Sequence, residues 1–474
     1  MSLGRRIGRN ALAKVLGEIA NRGGGLLFYF LLARWLGSEA FGRYSFAFSY
    51  ATLFGVLVDL GTNVILTRYI ARRPDQLAEL VPRVNGLKIA SSAVFLGALA
   101  ISVLLSARSR EAAGLILALG ILVAGTLVFE SLSAVMSGLE RMEVEALSKT
   151  LNRAGLLAGA AAGYWTTHTL NGTVVGLLVG MALGLGAAYV LLMRLGAPLA
   201  VRWDGPWNRA LLAQSLPLVV AWVFWNLYDN QDVVVLAYMG LPAAAVGHFA
   251  ASMKLIDALR GLPVLISGAV FPLLSTAAAA DRARFERLAV FLLHAVSCAA
   301  LPIALAASAL APTVVRWIYG PGFEPAADAL RVASWAVVGI FVNHALISLL
   351  VALDLQRRTI AGAAGAAVVN LAALVLLTPR YGLRGAAAAL VISEGVFLVI
   401  NLGLLRGRGP AFWRRVVTQG LKALAAAAVM AATLRWVPPA WNPVATLAVA
   451  FALYGVTLLV LRAAPTHLPE GQAS

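Results

Sequence analysis

The sequence predicts an all-α integral membrane protein of about fourteen transmembrane helices, each of about 20 mostly apolar residues. Three observations carry that expectation. Of the 474 residues, 61% are hydrophobic and only 12% charged, about half the charged fraction of an ordinary soluble chain, and the mean hydropathy is +0.84. Apolar runs long enough to span a bilayer recur from end to end, and no polar break reaches the roughly 50 residues of a soluble domain. The basic residues behind the net charge of +17 gather in the breaks, which is the positive-inside pattern rather than a nucleic-acid stripe.

The expected spans are 10–34, 44–67, 85–106, 113–137, 144–166, 172–193, 215–238, 246–275, 286–310, 327–352, 358–378, 383–404, 416–434 and 442–461. Arg5, Arg6 and Arg9 before the first run give it the look of a signal peptide. That run continues to Leu36 and contains Glu18, Asn21 and Arg22, so it reads as a retained helix. With the N-terminus in the cytoplasm, roughly 24 basic residues fall inside and roughly nine outside. The inner set includes Arg72, Arg73, Arg83, Arg282, Arg284, Arg287, Arg406, Arg408, Arg414 and Arg415. Both termini are therefore expected in the cytoplasm. A single cysteine, Cys298, excludes an internal disulfide, and the five histidines lack metal-ligand spacing. No metal and no catalytic residue is expected.

An internal repeat organises the spans. Leu36-Gly37 followed by Phe41-Gly42-Arg43-Tyr44 opens the second span, and Met239-Gly240 followed by Val246-Gly247-His248-Phe249 opens the eighth. Gly172 and Gly385 open spans six and twelve, while Leu139-Glu140-Arg141 and Leu353-Asp354-Leu355-Gln356-Arg357 begin spans five and eleven. The offset is roughly 205–215 residues throughout. Each copy holds an even number of helices, so the two copies are expected as six-helix lobes related by a pseudo-twofold along the membrane normal. The expected division is a first lobe at 1–194, a cytoplasmic linker at 195–214, a second lobe at 215–406, and two C-terminal helices with a tail at 407–474. Glycine and alanine are dense inside the spans, as in Gly155-Leu-Leu-Ala-Gly159-Ala-Ala-Ala-Gly163, where small residues permit close helix approach. Gly184-Leu-Gly186 reads the same way and not as a phosphate loop, and no nucleotide-binding motif occurs. Trp203, Trp207 and Trp317 lie near span ends and read as interfacial anchors.

Charges at membrane depth cost about 2.5–3.5 kcal/mol each on insertion scales, so their placement is informative. They fall on single helix faces. Lys14, Glu18, Asn21 and Arg22 share one in the first span, and Thr52, Gly55, Asp59 and Asn63 share one in the second. Glu145, Ser148, Lys149, Asn152 and Arg153 line the start of the fifth. Asn226, Asp229, Asn230 and Asp232 lie in the seventh, and Lys254, Asp257 and Arg260 in the eighth. These stripes are expected to face a watery interior. The competing reading is mutual pairing, with Lys254–Asp257 and Asp328–Arg331 at the i+3 spacing that permits it. Glu145 and Lys149 read as solvated, Glu130 and Glu394 as interhelical hydrogen-bond partners, and the sequon Asn171-Gly-Thr173 as chance.

Several stretches together resemble a known group. Asp59-Leu60-Gly61 with Arg68, preceded by Gly37 and Gly42-Arg43-Tyr44, is similar to the start of polysaccharide exporters of the multidrug/oligosaccharidyl-lipid/polysaccharide superfamily. So are Phe271-Pro272 through Ser275 and, above all, Ile318-Tyr319-Gly320-Pro321-Gly322-Phe323-Glu324-Pro325-Ala326-Ala327. The resemblance covers essentially the whole chain. It implies a flippase that turns undecaprenyl-pyrophosphate-linked oligosaccharide, an O-antigen, capsule or exopolysaccharide unit, from the cytoplasmic to the periplasmic leaflet of a bacterial inner membrane. It implies a cationic central cavity, for which Arg22, Arg153, Lys254 and Arg260 are the suited positions. Glu18, Asp59, Asp229, Asp232 and Asp257 would then be ion-coupling or structural acids. The chain departs from the family at span seven, where Asn230-Gln231 rather than a basic residue precedes Asp232.

Elementary chemistry agrees, because cations offset the lost hydration of a pyrophosphate and arginine forks two hydrogen bonds to it. No cofactor is expected, and the driving force is left to an H+ or Na+ gradient, the membrane potential or product removal. The expected partners are the lipid-linked oligosaccharide, membrane lipids, and the glycosyltransferases and polymerase of the same pathway, with no nucleic acid. A cation-coupled drug exporter of the same superfamily is the alternative, although it would want an acidic, aromatic pocket. A membrane glycan polymerase or ligase is a third reading. It would need a large external loop, and the longest external break runs only from Ala311 to Ala326.

Overall fold

The structure is a computed structural model that describes residues 3–106, 110–436 and 443–463, with side chains from Gly23 onward except 217, 218, 221, 443 and 444. The described residues form helices and their connections, as lipid requires of a chain that must satisfy its backbone internally. By contacts the chain divides into two units, Met1–Gly247 and His248–Ser474. The first contains α1 (Leu3–Phe54), α2 (Val56–Asp59), α3 (Thr62–Arg72), α4 (Leu77–Leu105), α5 (Arg110–Gly138), α6 (Met142–Thr167), α7 (Leu170–Arg194), α8 (Gly205–Tyr238) and the start of α9 (Ala243–Leu259). The rest of α9 opens the second unit. There it is followed by α10 (Gly261–Ala280), α11 (Arg282–Ala309), α12 (Ala311–Tyr319), α13 (Ala326–Ala333), α14 (Ala336–Ala352), α15 (Gln356–Leu404), α16 (Pro410–Trp436) and α17 (Pro443–Val460).

Among the described residues, eight helices are long and apolar enough to cross a membrane, or nine if α13 and α14, bent by 41°, are one span. The count of fourteen expected from the sequence is thus not reached by length and composition alone. Part of the difference lies in two long helices, Gly23–Arg72 and Gln356–Leu404. Each is interrupted by a glycine in a non-helical conformation, Gly37 at φ 74° and Gly382 at φ 56°. Beyond each glycine the chain turns back on itself. The Tyr29 ring meets the rings of Tyr44 and Phe48, each at 6.5 Å. A Cβ on Gly362 would lie 2.9 Å from Ile400, and one on Gly385 would lie 2.4 Å from the Leu377 carbonyl. α1 and α15 are therefore antiparallel helix pairs, placed where the sequence puts spans one and two, and eleven and twelve. Only glycine takes these left-handed conformations without strain.

Small residues set the helix separations, as the sequence led us to expect. A Cβ on Gly159 would fall 2.1 Å from the Gly176 carbonyl, and one on Gly176 would fall 2.0 Å from the Gly159 carbonyl. The same reciprocal approach joins Gly155 to Gly180, and a Cβ on Gly163 would fall 2.1 Å from the Gly172 carbonyl, so α6 and α7 run backbone against backbone. Gly184 continues the seam against Asn152, whereas nothing lies within 4 Å of a Cβ on Gly186. Thr169 caps α7 by accepting the Gly172 N–H (3.1 Å), and the buried Thr173 hydroxyl donates to the Thr169 carbonyl (2.8 Å). The sequon threonine is thus engaged in the helix start. A second reciprocal approach joins positions that the repeat equates. A Cβ on Gly42 would meet the Ala243 carbonyl at 1.8 Å, and one on Gly247 the Ser38 carbonyl at 2.0 Å.

The segment 195–214 is docked on α4 rather than loosely tethered. The Arg202 N–H donates to the Pro82 carbonyl (2.8 Å), and Asn85 Nδ2 donates to the Ala200 carbonyl (2.9 Å). Arg83 pairs with Asp204 at 2.9 Å, and Asp204 also caps α8 through the Trp207 N–H. The contact boundary falls one helix beyond this segment because α8 packs on α1 and α3. Trp203 and Trp317 are 63% and 81% exposed, in keeping with interfacial positions. Trp207 packs against buried Leu87, Leu211 and their neighbours.

Candidate functional site

In the first unit the polar face of span two is a break in a helix. α2 ends at Asp59, Leu60 and Gly61 take left-handed conformations (φ 51° and 62°), and α3 resumes at Thr62. Asp59 is 8% exposed. Its carboxylate accepts from Asn63 Nδ2 at 2.8 Å and from the Gly61 N–H at 3.3 Å, and Ser131 donates to Asn63 Oδ1 at 2.9 Å. Lys88 of α4, 2% exposed, points its Nζ at the carbonyls of Val58 (2.9 Å) and Asp59 (3.0 Å). Sequence reasoning passed over Lys88, although a lone lysine in the apolar run Leu87-Lys88-Ile89-Ala90 was the available signal. Nearby, Asn226 of α8 donates to the Thr52 carbonyl at 2.8 Å, where α1 ends, and Asn230 donates to Asn226 Oδ1 at 2.9 Å. Asp232 is buried and Asp229 exposed.

The polar face of α6 is more closed than the sequence suggested. Glu145 and Lys149 form an ion pair at 2.9 Å with side chains only 11% and 16% exposed, so they are not simply solvated. The reason is packing, because α6 lies against both α1 and α7. Arg153, two turns from Glu145, lies along α1 beside Gly24 and Gly25. Cβ atoms there would come within 3.0 Å of its Cγ and 3.4 Å of its Nη2. The absence of side chains at those two positions is what admits the arginine. Glu18 and Arg22, with Lys14 and Asn21, have side chains outside the described residues.

In the second unit Lys254, Asp257 and Arg260 form one cluster where α9 gives way to α10. Asp257 accepts from Lys254 Nζ at 3.1 Å and pairs with Arg260 Nε at 3.5 Å, all three side chains being about one-third exposed. One acid thus faces two cations. The i+3 spacing permitted a pair between Asp328 and Arg331, but Asp328 pairs with Arg384 at 3.0 Å. Helix α13 packs on α15, which supplies the arginine. Glu394 behaves as expected of an interhelical partner, since Asn343 Nδ2 donates to its carboxylate at 2.8 Å and to its carbonyl at 3.0 Å.

The stretch 318–327 serves as structure. Gly320 and Gly322 take φ of 87° and 94°, and Phe323 stacks on Tyr319 at 5.2 Å. Tyr319 donates to the Ala251 carbonyl (2.8 Å), and Ser252 donates to the Ala326 carbonyl (2.7 Å), which clamps the loop on α9. Its own N–H and that of Gly322 hold the exposed Glu324 carboxyl below the usual carboxylate range.

A cavity of about 610 Å³ in the first unit lies elsewhere, lined by Arg43, Phe46, Glu111, Leu115, Leu170 and Leu241 among others. Arg43 is held there by Glu39 (2.7 Å) and Glu111 (3.2 Å). None of the cations or acids singled out from the sequence lines it. What the described arrangement offers chemically is basic side chains set among packed helices, Arg153 in the first unit and Lys254 with Arg260 in the second.

The solved structures that share this fold include a flippase and multidrug transporters. The chain superposes on a structure described as the lipid II flippase MurJ in an inward closed conformation with a TM-score of 0.69 and 15% identity. That match covers 94% of this chain and 99% of the other. An inward-facing multidrug resistance MATE family transporter of the MOP superfamily matches with a TM-score of 0.62 and 14% identity, over 88% of this chain and 98% of that one. The MATE transporter VcmN of Vibrio cholerae matches with a TM-score of 0.54 and 14% identity, over 86% and 100%. No curated protein sequence matches significantly. Residues 7–278 match the family described as polysaccharide biosynthesis protein. With that family match over more than half its length, and a multi-pass helical fold shared with flippases and exporters of the MOP superfamily, the chain belongs to the polysaccharide biosynthesis protein family.

Proposed function

We propose that this protein is a flippase for polyprenyl-pyrophosphate-linked oligosaccharide, carrying it from the cytoplasmic to the periplasmic leaflet of a bacterial inner membrane by alternating access. The observation that carries the reading is the meeting of two cations, Lys254 and Arg260, at the one carboxylate of Asp257. In the first unit Arg153, fitted against Gly24 and Gly25, is a second candidate. A pyrophosphate entering a low-dielectric site loses hydration, and guanidinium groups restore hydrogen bonds to it in pairs. Arg22 is assigned the same role from its place in the sequence. Asp229, Asp232, Asp257 and Glu18 are the acids proposed to serve a coupling ion. The carrier is proposed to act without a cofactor and to receive its substrate from glycosyltransferases.

The test is reconstitution in liposomes with a labelled polyprenyl-pyrophosphate oligosaccharide on one leaflet. Protein-dependent appearance of the glycan at the opposite face is the expected result. Efflux of organic cations without glycan movement would instead favour a drug exporter, the reading that the similarity to MATE transporters keeps in view.

Orientation is tested separately. Reporter fusions at Arg73, Asp204, Arg284 and Arg408 are expected to read cytoplasm, and fusions at Ser38, His168 and Pro321 periplasm. A consistent reversal would overturn the assignment from basic residues, whereas one mismatch would overturn only a local span.

A further inference from the structure

We propose that the helix break at Asp59–Gly61 is a monovalent-cation site whose resident ion is the protein's own Lys88 ammonium. The break supplies the ligands. Where Leu60 and Gly61 leave the helical conformation, the helical hydrogen-bond ladder stops. Carbonyls at such a point lose their intrahelical donors and need others. Those of Val58 and Asp59 receive Lys88 Nζ at 2.9 and 3.0 Å. The Asp59 carbonyl also receives the Thr62 hydroxyl at 2.8 Å, and Ser91 Oγ stands 3.5 Å from the Val58 carbonyl. The Asp59 carboxylate, one bond-path away from its own carbonyl, brings the compensating negative charge. It is held in place by Asn63 and the Gly61 N–H, and Asn63 in turn by Ser131.

Backbone carbonyls freed by an unwound helix, beside a buried carboxylate, are the oxygen-rich surroundings that alkali and ammonium ions favour in membrane carriers. Here the ion is covalently tethered by α4. Lys88 is 2% exposed and Asp59 8%, so neither charge is screened by bulk water, and removal of one would leave the other uncompensated. It follows that Asp59 is matched by an internal cation and has no call on a coupling ion from solution. The inference rests on this geometry and holds whichever substrate is carried.

Chemical complementation tests it on the full-length purified protein. Lys88→Ala removes Cγ, Cδ, Cε and Nζ, the heavy atoms of n-propylammonium. Thermal unfolding in detergent is followed against n-propylammonium chloride, with n-propanol as the uncharged control at constant ionic strength. The Lys88→Ala midpoint is expected to rise saturably by roughly 2–4 °C with the amine alone. Wild-type protein and Lys88→Met, whose side chains fill the space, should not respond. Adding Asp59→Asn to Lys88→Ala should remove the response. No rise, an equal rise in wild-type protein, an equal effect of n-propanol, or a response that survives Asp59→Asn would each overturn the proposal. Should Lys88→Ala not accumulate in membranes, growth with n-propylammonium is expected to restore its level several-fold. Failure of that restoration would overturn it equally.

Discussion

Gly159→Leu is expected to prevent the first unit from folding. The first atom of any side chain at Gly159 would fall 2.1 Å from the Gly176 carbonyl, and that neighbour is backbone, which cannot rotate aside. Relief requires α6 and α7 to separate, with loss of the close approaches of Gly155 to Gly180 and of Gly163 to Gly172. Overpacking of this kind costs more than about 3 kcal/mol where no flexible neighbour can yield. The measurement is the yield of monodisperse protein after detergent extraction, with the thermal midpoint of whatever is recovered. Gly186→Leu, on the facing helix α7 and with nothing within 4 Å of its Cβ, is the control and should match wild type. Equal recovery of Gly159→Leu and Gly186→Leu would mean that the α6–α7 seam does not hold the unit together.

Arg260→Ala is expected to reduce surface glycan nearly to nothing while the protein accumulates normally, with lipid-linked precursor retained on the inner leaflet. Arg260 shares Asp257 with Lys254, so its removal takes away one of the two cations set around that acid. Arg260→Lys should retain part of the activity, because lysine keeps the charge but loses the paired hydrogen bonds. Asp257→Asn is the informative companion. If the cations serve only to neutralise Asp257, the double variant Arg260→Gln with Asp257→Asn should regain export. If they bind pyrophosphate, the double variant should stay impaired, whereas Asp257→Asn alone should retain binding of the anionic substrate. Export regained in the double variant would refute the substrate-binding role of Arg260. Glycan at the cell surface and precursor per membrane protein are the two readings to compare.

Composition and the spacing of apolar runs were sufficient for the membrane fold, because a bilayer leaves a chain few choices: apolar stretches of the right length must become helices with internally satisfied backbones. Small-residue spacing was sufficient for the α6–α7 seam for a related reason. Glycines four residues apart mark a helix face that only another backbone can cover, as the pairing of Gly155, Gly159 and Gly163 with Gly180, Gly176 and Gly172 bears out. Glu394 was legible as a hydrogen-bond partner because a lone acid in an apolar run must find one.

Partner choice among charges was another matter, since it depends on which helices lie side by side. Spacing offered Arg331 to Asp328, and the packing of α13 on α15 gave it Arg384 instead. Spacing likewise left Glu145 and Lys149 in solvent, and the packing of α6 on α1 and α7 buried them as a pair. Lys88 shows the limit most clearly. Its type and its apolar surroundings are visible in the sequence. That its ammonium meets the carbonyls of Val58 and Asp59 is decided by a left-handed break at Leu60 and Gly61 and by the approach of α4 to α2. A sequence specifies where a charge must be compensated, because the cost of burying it is local. Only the tertiary structure selects the compensating group, because that choice is made between segments distant along the chain.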